Sequence, residues 1–256
     1  SQFINQTTIK TKNLKETFEA FEKYAHLPYS VAWIDCLAKD ENIGKSLLMV
    51  GDFADCGKLD FKEKKKINIP FIFPSFALNS FSVKAFNWLY YKKAPNGESK
   101  QKVDIDTFFY PLDSINNWNR IYGKGGFTQY QFILPKENSF DGLKEILEKI
   151  SNSGKGSFLA VLKLYGKENK NYLSFPMSGY SLALDFKIEK GLFELLDSLD
   201  EIVVKYGGRI YLTKDVRVKK EVFEKGYENI EKFREFRKKF GMSEKFASLQ
   251  SKRVGI

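Results

Sequence analysis

A helical segment followed by two apolar strand segments occurs twice along this chain, and this recurring order constrains the fold more than any other feature. The first helical segment spans residues 13–25, and YSVAWIDCL and SLLMVGDF follow it as strands. Its apolar residues at helical spacing are Leu14, Phe18, Phe21 and Tyr24. The second spans residues 139–153 and precedes the strands SFLAVLKLYG and GYSLALDFKI. Ser139 is its predicted N-cap, and Gly154 closes it.

Strands that are joined through helices and hairpins favour antiparallel or mixed pairing, with the helices gathered on one face of the sheet. A further helix over 191–206 and a short strand, RIYL, follow the second unit. We therefore predict the α+β class. The expected architecture is a largely antiparallel sheet built from two α-β-β units, with helices on one face and a helical carboxy-terminal segment.

The supply of reactive residues excludes several classes of protein. Of the 256 residues, 43% are hydrophobic, so the chain can bury a core and is not expected to be disordered. The one histidine, His26, follows a helical segment and is expected to be an ordinary helix-end residue, which leaves histidine-dependent nucleophilic catalysis poorly supplied. Cys36 and Cys56 lack CxxC spacing, so neither a disulfide nor a metal site is predicted. Neither a dinucleotide-binding glycine motif nor a P-loop occurs.

Hydropathy gives an expectation about location. No window approaches about 18 consecutive uncharged apolar residues, the length that a spanning helix needs. The first residues, SQFINQTTIKTK, lack the apolar core of a secretory signal. We therefore expect a soluble, cytoplasmic protein.

An aromatic-rich tract runs from about residue 60 to 127. It begins near the polar run KEKKK and contains APNGESKQ, a loop by composition. Its predicted helix, at about 76 to 92, has a wide apolar surface formed by Phe76, Leu78, Phe81, Val83, Phe86, Leu89 and Tyr90. Such a helix either packs into a core or forms a lid over a lipid-like or aromatic ligand. The sequence leaves both alternatives open.

Positive charge is concentrated at the carboxy-terminal end. From Lys205 to Ile256 there are 15 basic and 7 acidic residues, so +8 of the formal charge of +10 lies in this segment. A basic tail is typical of proteins that bind nucleic acid, anionic lipid or a phosphorylated ligand. The alternative is an amphipathic helix, ENIEKFREFRKKFG, with a solvated basic face and with Ile230, Phe233 and Phe236 or Phe240 directed inward. No aromatic RNA-binding motif or zinc finger occurs, so no nucleic-acid partner is predicted.

A more specific signal comes from segments that occur in a consistent order over nearly the whole chain: YSVAWID at 29–35, DTFFYPLDSINNWNRIYG at 106–123, GFTQYQFILP at 126–135, FLAVLKLYG at 158–166, LSFPMSGYSLALDF at 173–186 and GGRIYLTKDVR at 207–217. Together they resemble the FAD-linked oxidases of the vanillyl-alcohol oxidase superfamily. The resemblance is strongest to the decaprenylphosphoryl-ribose oxidase branch and more distant to the aldonolactone oxidases. Each segment alone is weak, and the combination is specific.

The resemblance implies a division of the chain. Proteins of this family carry an amino-terminal FAD-binding domain of roughly 200 residues, and no segment here corresponds to it. Residues 1–207 are then the substrate-binding domain, and 208–256 are a return segment that packs on that partner domain. The implied cofactor is FAD, bound mainly by the domain that this chain does not contain, so we expect the chain alone to be inactive.

The resemblance also assigns catalytic and cofactor-binding roles to Lys214 and Tyr211 of YLTKD, which match the family residues that lie against flavin and substrate. Hydride transfer leaves negative charge on a flavin, and a fixed cation stabilises it. Tyr211 and Lys214 share one face only if the strand bends after Tyr211. Without the resemblance, a solvated lysine at a strand end is the simpler interpretation of Lys214.

Three polar residues are candidate substrate-binding residues. Gln129 and Gln131 alternate on QYQF and share one face of their strand, where two amides need polar partners unless the face is turned to water. Lys163 is the lone charge in FLAVLKLY, so it either reaches solvent at a strand edge or meets an anion. The resemblance favours a place in the pocket for Lys163.

The remaining candidates follow from the resemblance alone. Trp33 and Phe127 match apolar walls of the pocket, with ordinary core packing as the alternative, and Tyr180 holds the place of a family aromatic residue. Ser181 and Ala183 stand where the branch tends to have asparagine and cysteine. Ser181 is kept as a substrate-binding candidate, but neither the substrate's identity nor a reactive thiol can be transferred.

These observations support two functions of different classes. The first is the substrate-binding portion of an FAD-dependent oxidoreductase that oxidises a hydroxyl group of a sugar or sugar-phosphate-like substrate by hydride transfer to flavin. Its partners are the FAD-binding domain and a sugar or polyprenyl-phospho-sugar-like substrate, with a peripheral membrane contact as an open alternative. The second is a non-catalytic module that binds an anionic ligand or a membrane surface.

Overall fold

The computed structural model describes residues 1–57, 59 and 66–256. Most of the KEKKK run, residues 62–65, lies outside the described residues. The strands are β1 (Phe3–Thr11), β2 (Tyr29–Ile34), β3 (Ser46–Phe53), β4 (Ile67–Asn68), β5 (Glu98–Asp104), β6 (Ile115–Asn116), β7 (Phe127–Pro135), β8 (Ala160–Tyr165), β9 (Gly179–Lys187) and β10 (Arg209–Ile210). The α-helices are α1 (Leu14–Lys23), α2 (Ser80–Lys93), α3 (Ile105–Phe109), α4 (Ser139–Ser153), α5 (Leu192–Lys205), α6 (Lys220–Gly226), α7 (Ile230–Lys239), α8 (Met242–Lys245) and α9 (Leu249–Val254).

Eight strands form one antiparallel sheet in the order β10-β7-β9-β8-β2-β3-β1-β5. The strands of the two predicted units meet where β2 pairs with β8, so the units share a continuous sheet. β4 and β6 pair in parallel as a separate two-stranded element. The predicted α+β class with a largely antiparallel sheet is confirmed.

Strands β1 and β5 add two further strands that the sequence pattern did not indicate. β5 pairs with β1 from Phe3↔Asp104 to Ile9↔Glu98, so the prediction of a loop over all of APNGESKQ is wrong. β5 has the sequence ESKQKVD and mostly exposed side chains. Its conformation therefore rests on backbone pairing at the edge of the sheet and not on an alternating apolar pattern, and its charges are typical of an edge strand.

Helices α1, α4 and α5 pack on one face of the sheet. The apolar face of α4 buries Leu143, Ile146, Leu147 and Ile150 fully, against a core that includes Phe132 and Leu182 of the sheet. The 3.6-residue period brings these positions to one side of the helix. Burial of each such side chain contributes about 1.5–3 kcal/mol, so truncation of Leu147 to alanine would cost about 2–5 kcal/mol of stability.

Two helix starts differ from the predicted positions. Ser139 is not the N-cap of α4: it is the first helical residue, and its hydroxyl donates to the carbonyls of Leu134 and Pro135 at 2.9 and 2.7 Å. Gly154 closes the helix in the left-handed conformation, as predicted. Helix α2 begins at Ser80 and not near residue 76, because Asn79 and Ser82 form a capping box.

Helix α2 buries only Val83 and Asn87 of its own residues. Asn87 donates from Nδ2 to Asp35 Oδ1 at 2.7 Å and thereby ties the helix to the end of β2. Most aromatic side chains of α2 are exposed. The predicted alternative in which the whole apolar surface of this helix packs into the core is therefore wrong. No helix in the described part of the chain is long and apolar enough to cross a membrane.

The carboxy-terminal segment joins the core of the sheet domain through Ile210, Val218, Phe223, Tyr227, Ile230 and Val254. Ile230 of α7 is buried, as predicted, and Phe233 is half-buried. Phe236 and Phe240, the alternative inward positions, are both exposed.

Candidate functional site

The sheet has one face that is free of α1, α4 and α5, and the strand register places a set of polar side chains on it. Residues that pair directly across strands share a face. The pairs Gln129↔Asp185, Gln131↔Ala183, Lys163↔Ser181 and Trp33↔Val161 therefore project to the same side of β7, β9, β8 and β2. We call the side of the sheet formed by Gln129, Gln131, Ser181, Asp185, Lys163 and Trp33 the polar face.

The two predicted glutamines find their partners on β9. Gln129 donates from Nε2 to Asp185 Oδ1 at 2.9 Å, and Gln131 donates from Nε2 to Ser181 Oγ at 3.1 Å. Gln131 and Ser181 are buried, whereas Gln129 is partly exposed. The sequence indicated that these amides need polar partners, and the register supplies them from the neighbouring strand.

Asp185 is the residue of the polar face that the sequence reasoning missed. It is only 3% exposed, and its Oδ2 atom has no hydrogen-bond partner among the described residues. Burial raises its pKa to about 6, although the hydrogen bond from Gln129 and the positive charge of Lys214 act in the opposite direction. A carboxylate within the apolar run SLALDF, an even number of residues after Ser181, is the signal that could have found it.

An aromatic wall closes the end of the polar face at the start of β7. The Tyr122 ring stacks on Phe127 at 4.6 Å and on Phe158 at 5.7 Å between ring centroids. Trp33 donates from Nε1 to the Phe158 carbonyl at 3.0 Å, and its ring meets Tyr90 of α2 edge-on at 5.0 Å. The structure thus brings the predicted wall residues Trp33 and Phe127 to one aromatic cluster.

The Tyr122 hydroxyl is a second buried polar atom without a hydrogen-bond partner among the described residues. Its pKa is raised, mainly by burial and also by the negative charge of Asp185. An unpartnered buried hydroxyl and an unpartnered carboxylate oxygen are unusual, since buried polar groups are nearly always hydrogen-bonded. The Tyr122 hydroxyl and the Asp185 carboxylate could therefore form hydrogen bonds with a polar ligand at this part of the polar face.

Lys163 lies on the polar face opposite Ser181 and is half-buried. No hydrogen bond or ion pair links its ammonium to another residue within the described ranges. The neighbouring Tyr165 has its pKa raised by burial, and the Gln131 and Ser181 side chains lower it in part. Lys163 is thus a cation beside the Gln131–Ser181 pair, and no described residue pairs with its ammonium.

Lys214 and Tyr211 approach the polar face from a turn and not from a strand. β10 ends at Ile210, the Tyr211 amide donates to the Gln131 carbonyl at 2.8 Å, and the Lys214 amide donates back to the Tyr211 carbonyl at 3.0 Å. The Lys214 side chain is half-buried, and its ammonium makes no hydrogen bond or ion pair within the described part of the chain. Its charge nevertheless acts on Asp185. The bend that the prediction required occurs immediately after β10.

The Tyr211 ring belongs to a second aromatic cluster. It stacks on Phe175 at 4.3 Å between centroids, and Phe175 meets Tyr165 edge-on at 6.2 Å. Since Tyr165 lies beside Gln131 and Ser181, this cluster borders the polar face at the end opposite the Tyr122 wall.

Tyr180 is not brought together with the other candidates. It is fully buried on the opposite face of the sheet, where it stacks on Phe18 at 4.1 Å and meets Phe21 edge-on at 5.5 Å. Its hydroxyl donates to Glu22 Oε1 at 2.9 Å. Because successive strand residues point to opposite faces, Ser181 and Tyr180 cannot both reach the polar face.

The chemistry available on the polar face is that of charge and hydrogen bonding. Two lysines whose ammonium groups have no bonded partner among the described residues, two amides, the hydroxyls of Ser181 and Tyr122 and one buried carboxylate lie on this face or at its aromatic edge. Among the described residues no group of three or more His, Cys, Asp or Glu side chains could hold a metal ion. The arrangement suits an anionic or hydroxyl-rich ligand.

Comparison with known proteins finds similarity over nearly the whole chain. No protein-family model matches the chain. By sequence the chain is 35% identical, over 258 aligned residues and 96% of its own length, to the decaprenylphosphoryl-beta-D-ribose oxidase of Mycolicibacterium smegmatis. The resemblance to the decaprenylphosphoryl-ribose oxidase branch is thereby confirmed. The match covers 55% of the relative, so the chain spans about half of its length.

Two further similarities are more limited. An uncharacterized protein in the mprA 5′ region of Streptomyces coelicolor is 34% identical over 117 residues, which cover 45% of this chain and 32% of that protein. Among solved structures, CrmK, a flavoenzyme involved in shunt product recycling in caerulomycin biosynthesis, aligns with a TM-score of 0.40 and 8% identity. That alignment covers 80% of this chain and 41% of CrmK.

Proposed function

We propose that this chain is the substrate-binding portion of an FAD-dependent oxidoreductase that oxidises a hydroxyl group of a sugar or sugar-phosphate-like substrate. The observation that carries the proposal is the polar face, where the ammonium groups of Lys163 and Lys214 lie beside Gln129, Gln131 and Ser181 and have no bonded partner within the residues that the structure describes. The relative's name supports an oxidase and a phosphoryl-ribose substrate. In this proposal, residues 1–207 form the substrate domain and 208–256 also contact an FAD-binding domain.

The residues present fit a flavin at one side of this face. Lys214 has an ammonium without a hydrogen-bonded partner among the described residues, and Tyr211 is held against β7 by its own amide. These two residues would hold the isoalloxazine ring. When bound, the flavin supplies the acceptor for the hydride. Lys214 would hold a fixed positive charge where negative charge develops during hydride transfer. Because this positive charge is already in place, it lowers the activation barrier without the cost of reorganising the site.

The other side chains of the polar face would bind the sugar. Gln129, Gln131 and Ser181 offer amide and hydroxyl groups at the spacing of neighbouring strands, which suits the hydroxyl groups of a furanose or pyranose ring. Lys163 would pair with a phosphate, because a half-buried cation beside a buried pair of polar groups favours an anion. Trp33 and the Tyr122 wall exclude water from one end of the face.

A prenyl chain would find an apolar surface on α2. Phe81, Phe86, Trp88 and Leu89 are between 43% and 81% exposed, and Trp33 contacts the same helix through Tyr90. An exposed apolar surface next to a binding face is typical of an interaction site. We therefore propose a polyprenyl-phospho-sugar-like substrate, and a peripheral membrane contact through α2 is consistent with such a substrate.

The test uses the full-length gene product and this chain, purified separately. Flavin absorbance should be present in the full-length protein, and a short-chain polyprenylphosphoryl-ribose should bleach it under anaerobic conditions. The matched control is the corresponding polyprenyl phosphate without the ribose. Isothermal titration of the isolated chain with FAD should show weak binding or none. Absence of flavin from the full-length protein, or bleaching that does not depend on the sugar, contradicts the proposal.

One observation favours the second candidate, a non-catalytic module for an anionic surface. Phe236 and Phe240 are exposed on α7 with ring centroids 4.7 Å apart, and the basic run 237–239 lies between them. Sedimentation of the chain with vesicles of phosphatidylcholine and phosphatidylserine tests this function. Binding that Phe236→Ser abolishes, in a protein whose full-length form holds no flavin, would favour the module over the oxidoreductase.

A further inference from the structure

The turn that carries Lys214 is organised around the buried carboxylate of Asp215, whose side chain is 3% exposed. Asp215 Oδ1 accepts hydrogen bonds from the amides of Arg217 and Val218 at 2.9 and 2.7 Å. The next residue after Lys214 is therefore fixed in position from within the turn. Among the described residues, no strand pairs with the turn beyond Tyr211, so its position depends on side-chain contacts, including those that hold Asp215.

Two of those groups come from α9, near the end of the chain. Gln250 donates from Nε2 to the Leu212 carbonyl at 2.6 Å and approaches Asp215 at both its carbonyl and Oδ2, at 3.3 and 3.4 Å. Arg253 forms a salt bridge with Asp215 Oδ2 and donates to the Val216 carbonyl at 2.8 Å. Together they contact the turn on both sides of Lys214.

Helix α9 is itself well anchored. Val254 is fully buried in the core, and Ser248 and Ser251 form a capping box at the start of the helix. Arg234 of α7 donates from Nε to the Gly255 carbonyl at 2.8 Å. A short helix with a capped start and a carboxy-terminal end fixed to the core can transmit its position to the residues that it contacts.

The other flank of the turn is anchored independently of α9. Arg217 donates from both terminal nitrogens to Asp200 of α5 at 2.9 Å, and it also pairs with Asp197. Residues 211–217 are thus held by α5 on one side and by α9 on the other. Asp215, which α9 contacts, directly follows Lys214, whereas Arg217, which α5 contacts, lies three residues further along the chain.

We propose that Gln250 and Arg253 are positioning residues for Lys214: they fix the turn so that its ammonium stays beside the polar face. The inference rests on the proposed function, in which Lys214 meets flavin and substrate, and it assigns a role in that site to the last helix. Neither residue touches the polar face, so both act through the turn.

Asp185 offers a readout of the Lys214 position that needs no cofactor. The charge of Lys214 lowers the pKa of this carboxyl, whereas burial raises it. Displacement of the ammonium should therefore raise the pKa further. The groups that face Asp185 are Gln129, Tyr122 and Lys214, and the first two lie on other elements and would not move with the turn.

The experiment titrates the Asp185 carboxyl carbon by NMR in the 256-residue chain. Arg253→Gln and Gln250→Ala should raise its pKa in the same direction as Lys214→Met. Arg253→Gln should add nothing in a Lys214→Met background. Lys252→Gln removes the same charge from an exposed position of the same helix and is the matched control, which should leave the titration unchanged.

Hydrogen exchange of the wild type and the same single variants supplies a second measurement. The Lys214 and Asp215 amides should exchange at least about tenfold faster in Arg253→Gln than in Lys252→Gln, because a charge-assisted hydrogen bond has been lost. An unchanged Asp185 titration together with unchanged exchange in both α9 variants overturns the proposal. Should Arg253→Gln fail to fold, Gln250→Ala decides the question alone.

The two proposals fail separately. If the full-length protein holds no flavin, the titration still reports whether α9 positions Lys214, and only the catalytic meaning is lost. If Lys214→Ala slows flavin reduction while the α9 variants leave the Asp185 titration and reduction rate unchanged, the positioning role is wrong and the oxidoreductase function stands.

Discussion

Gln129 and Asp185 are joined across β7 and β9 by one hydrogen bond of 2.9 Å, and the second carboxylate oxygen of Asp185 has no partner among the described residues. Only one of the two oxygens of this buried carboxylate is therefore hydrogen-bonded to a described residue. This asymmetry lies beside Lys214, the cation to which the proposed chemistry gives the main role.

The first prediction concerns the pH dependence of stability. The folded-state pKa of Asp185, about 6, lies above that of an unfolded aspartate, so its contribution to stability is present below about pH 4 and is lost as pH rises through about 6. The loss amounts to about 3 kcal/mol at most. Asp185→Asn should remove this pH-dependent loss of stability. The free energy of unfolding of the variant, relative to wild type, should therefore rise from pH 4 to pH 8 by up to about 3 kcal/mol.

Urea unfolding of both proteins at several pH values measures this difference. Asp113→Asn removes an exposed carboxyl group and controls for the loss of one charge. A stability difference between Asp185→Asn and wild type that stays constant from pH 4 to pH 8 would show that Asp185 does not titrate in this range.

The second prediction concerns Lys214 in the flavin-containing full-length protein. Lys214→Ala should leave folding nearly unchanged, since its ammonium has no bonded partner in the described part of the chain. It should slow flavin reduction by about a hundred- to a thousandfold, in line with the loss of one preorganised charge. Lys214→Arg should restore only part of the rate, because a planar guanidinium does not replace a compact ammonium.

Anaerobic stopped-flow reduction measures the effect of Lys214, after absorbance has confirmed that each variant holds flavin. Lys124→Ala, at an exposed position, controls for the loss of a lysine. Reduction of Lys214→Ala at the wild-type rate would remove Lys214 from the proposed mechanism.

The third prediction separates Tyr180 from the substrate site. Tyr180→Phe loses one hydrogen bond to Glu22 and should cost about 1 kcal/mol of stability. Tyr180→Ala also leaves a cavity between Phe18 and Phe21 and should cost about 3–5 kcal/mol. Substrate affinity of the full-length Tyr180→Phe protein should equal that of wild type. A large rise in the dissociation constant without a change in stability would instead place Tyr180 in the site.

The fourth prediction concerns the buried ion pair of Arg217 and Asp200. Asp200 is 1% exposed and also accepts from the Tyr130 hydroxyl at 2.9 Å. Arg217→Met leaves this carboxylate without its cation and should cost about 3–5 kcal/mol. The double variant with Asp200→Asn should cost less than the two single changes combined, because no buried charge remains unpaired.

Urea denaturation at pH 7 measures the stability of the Arg217 variants. Lys219→Met is the control, since Lys219 is mostly exposed and its pair with Asp197 should contribute less than about 1 kcal/mol. Equal losses of stability in Arg217→Met and Lys219→Met would show that the buried ion pair contributes no more than the exposed one.

Local patterns were sufficient for the elements whose apolar residues repeat at a regular spacing. The helices predicted over 13–25, 139–153 and 191–206 occur as α1, α4 and α5, with ends that differ by no more than two residues. Their 3.6-residue period, and the two-residue period of the strands, are properties of consecutive residues. The combination of segments that includes QYQF and YLTKD was likewise sufficient to identify the resemblance that the 35% identity confirms.

β5 and the Lys214 turn show where local patterns ended. ESKQKVD has no apolar alternation, and it becomes a strand because the backbone of β1 is there to pair with it. Lys214 reaches the polar face through a turn that includes Asp215, and Gln250 and Arg253 contact this turn from positions distant in the sequence.

The sequence by itself determined the α+β class, the main helices, the antiparallel strands and the residue types of the candidate site. Only the tertiary structure decided that Asp185 joins Gln129, that Tyr180 belongs to the opposite face, and that α9 contacts the Lys214 turn. The physical reason is that strand register and packing depend on residues far apart in the chain. A shift of one residue reverses the face of every side chain in a strand, and a single sequence does not specify which distant partners will meet.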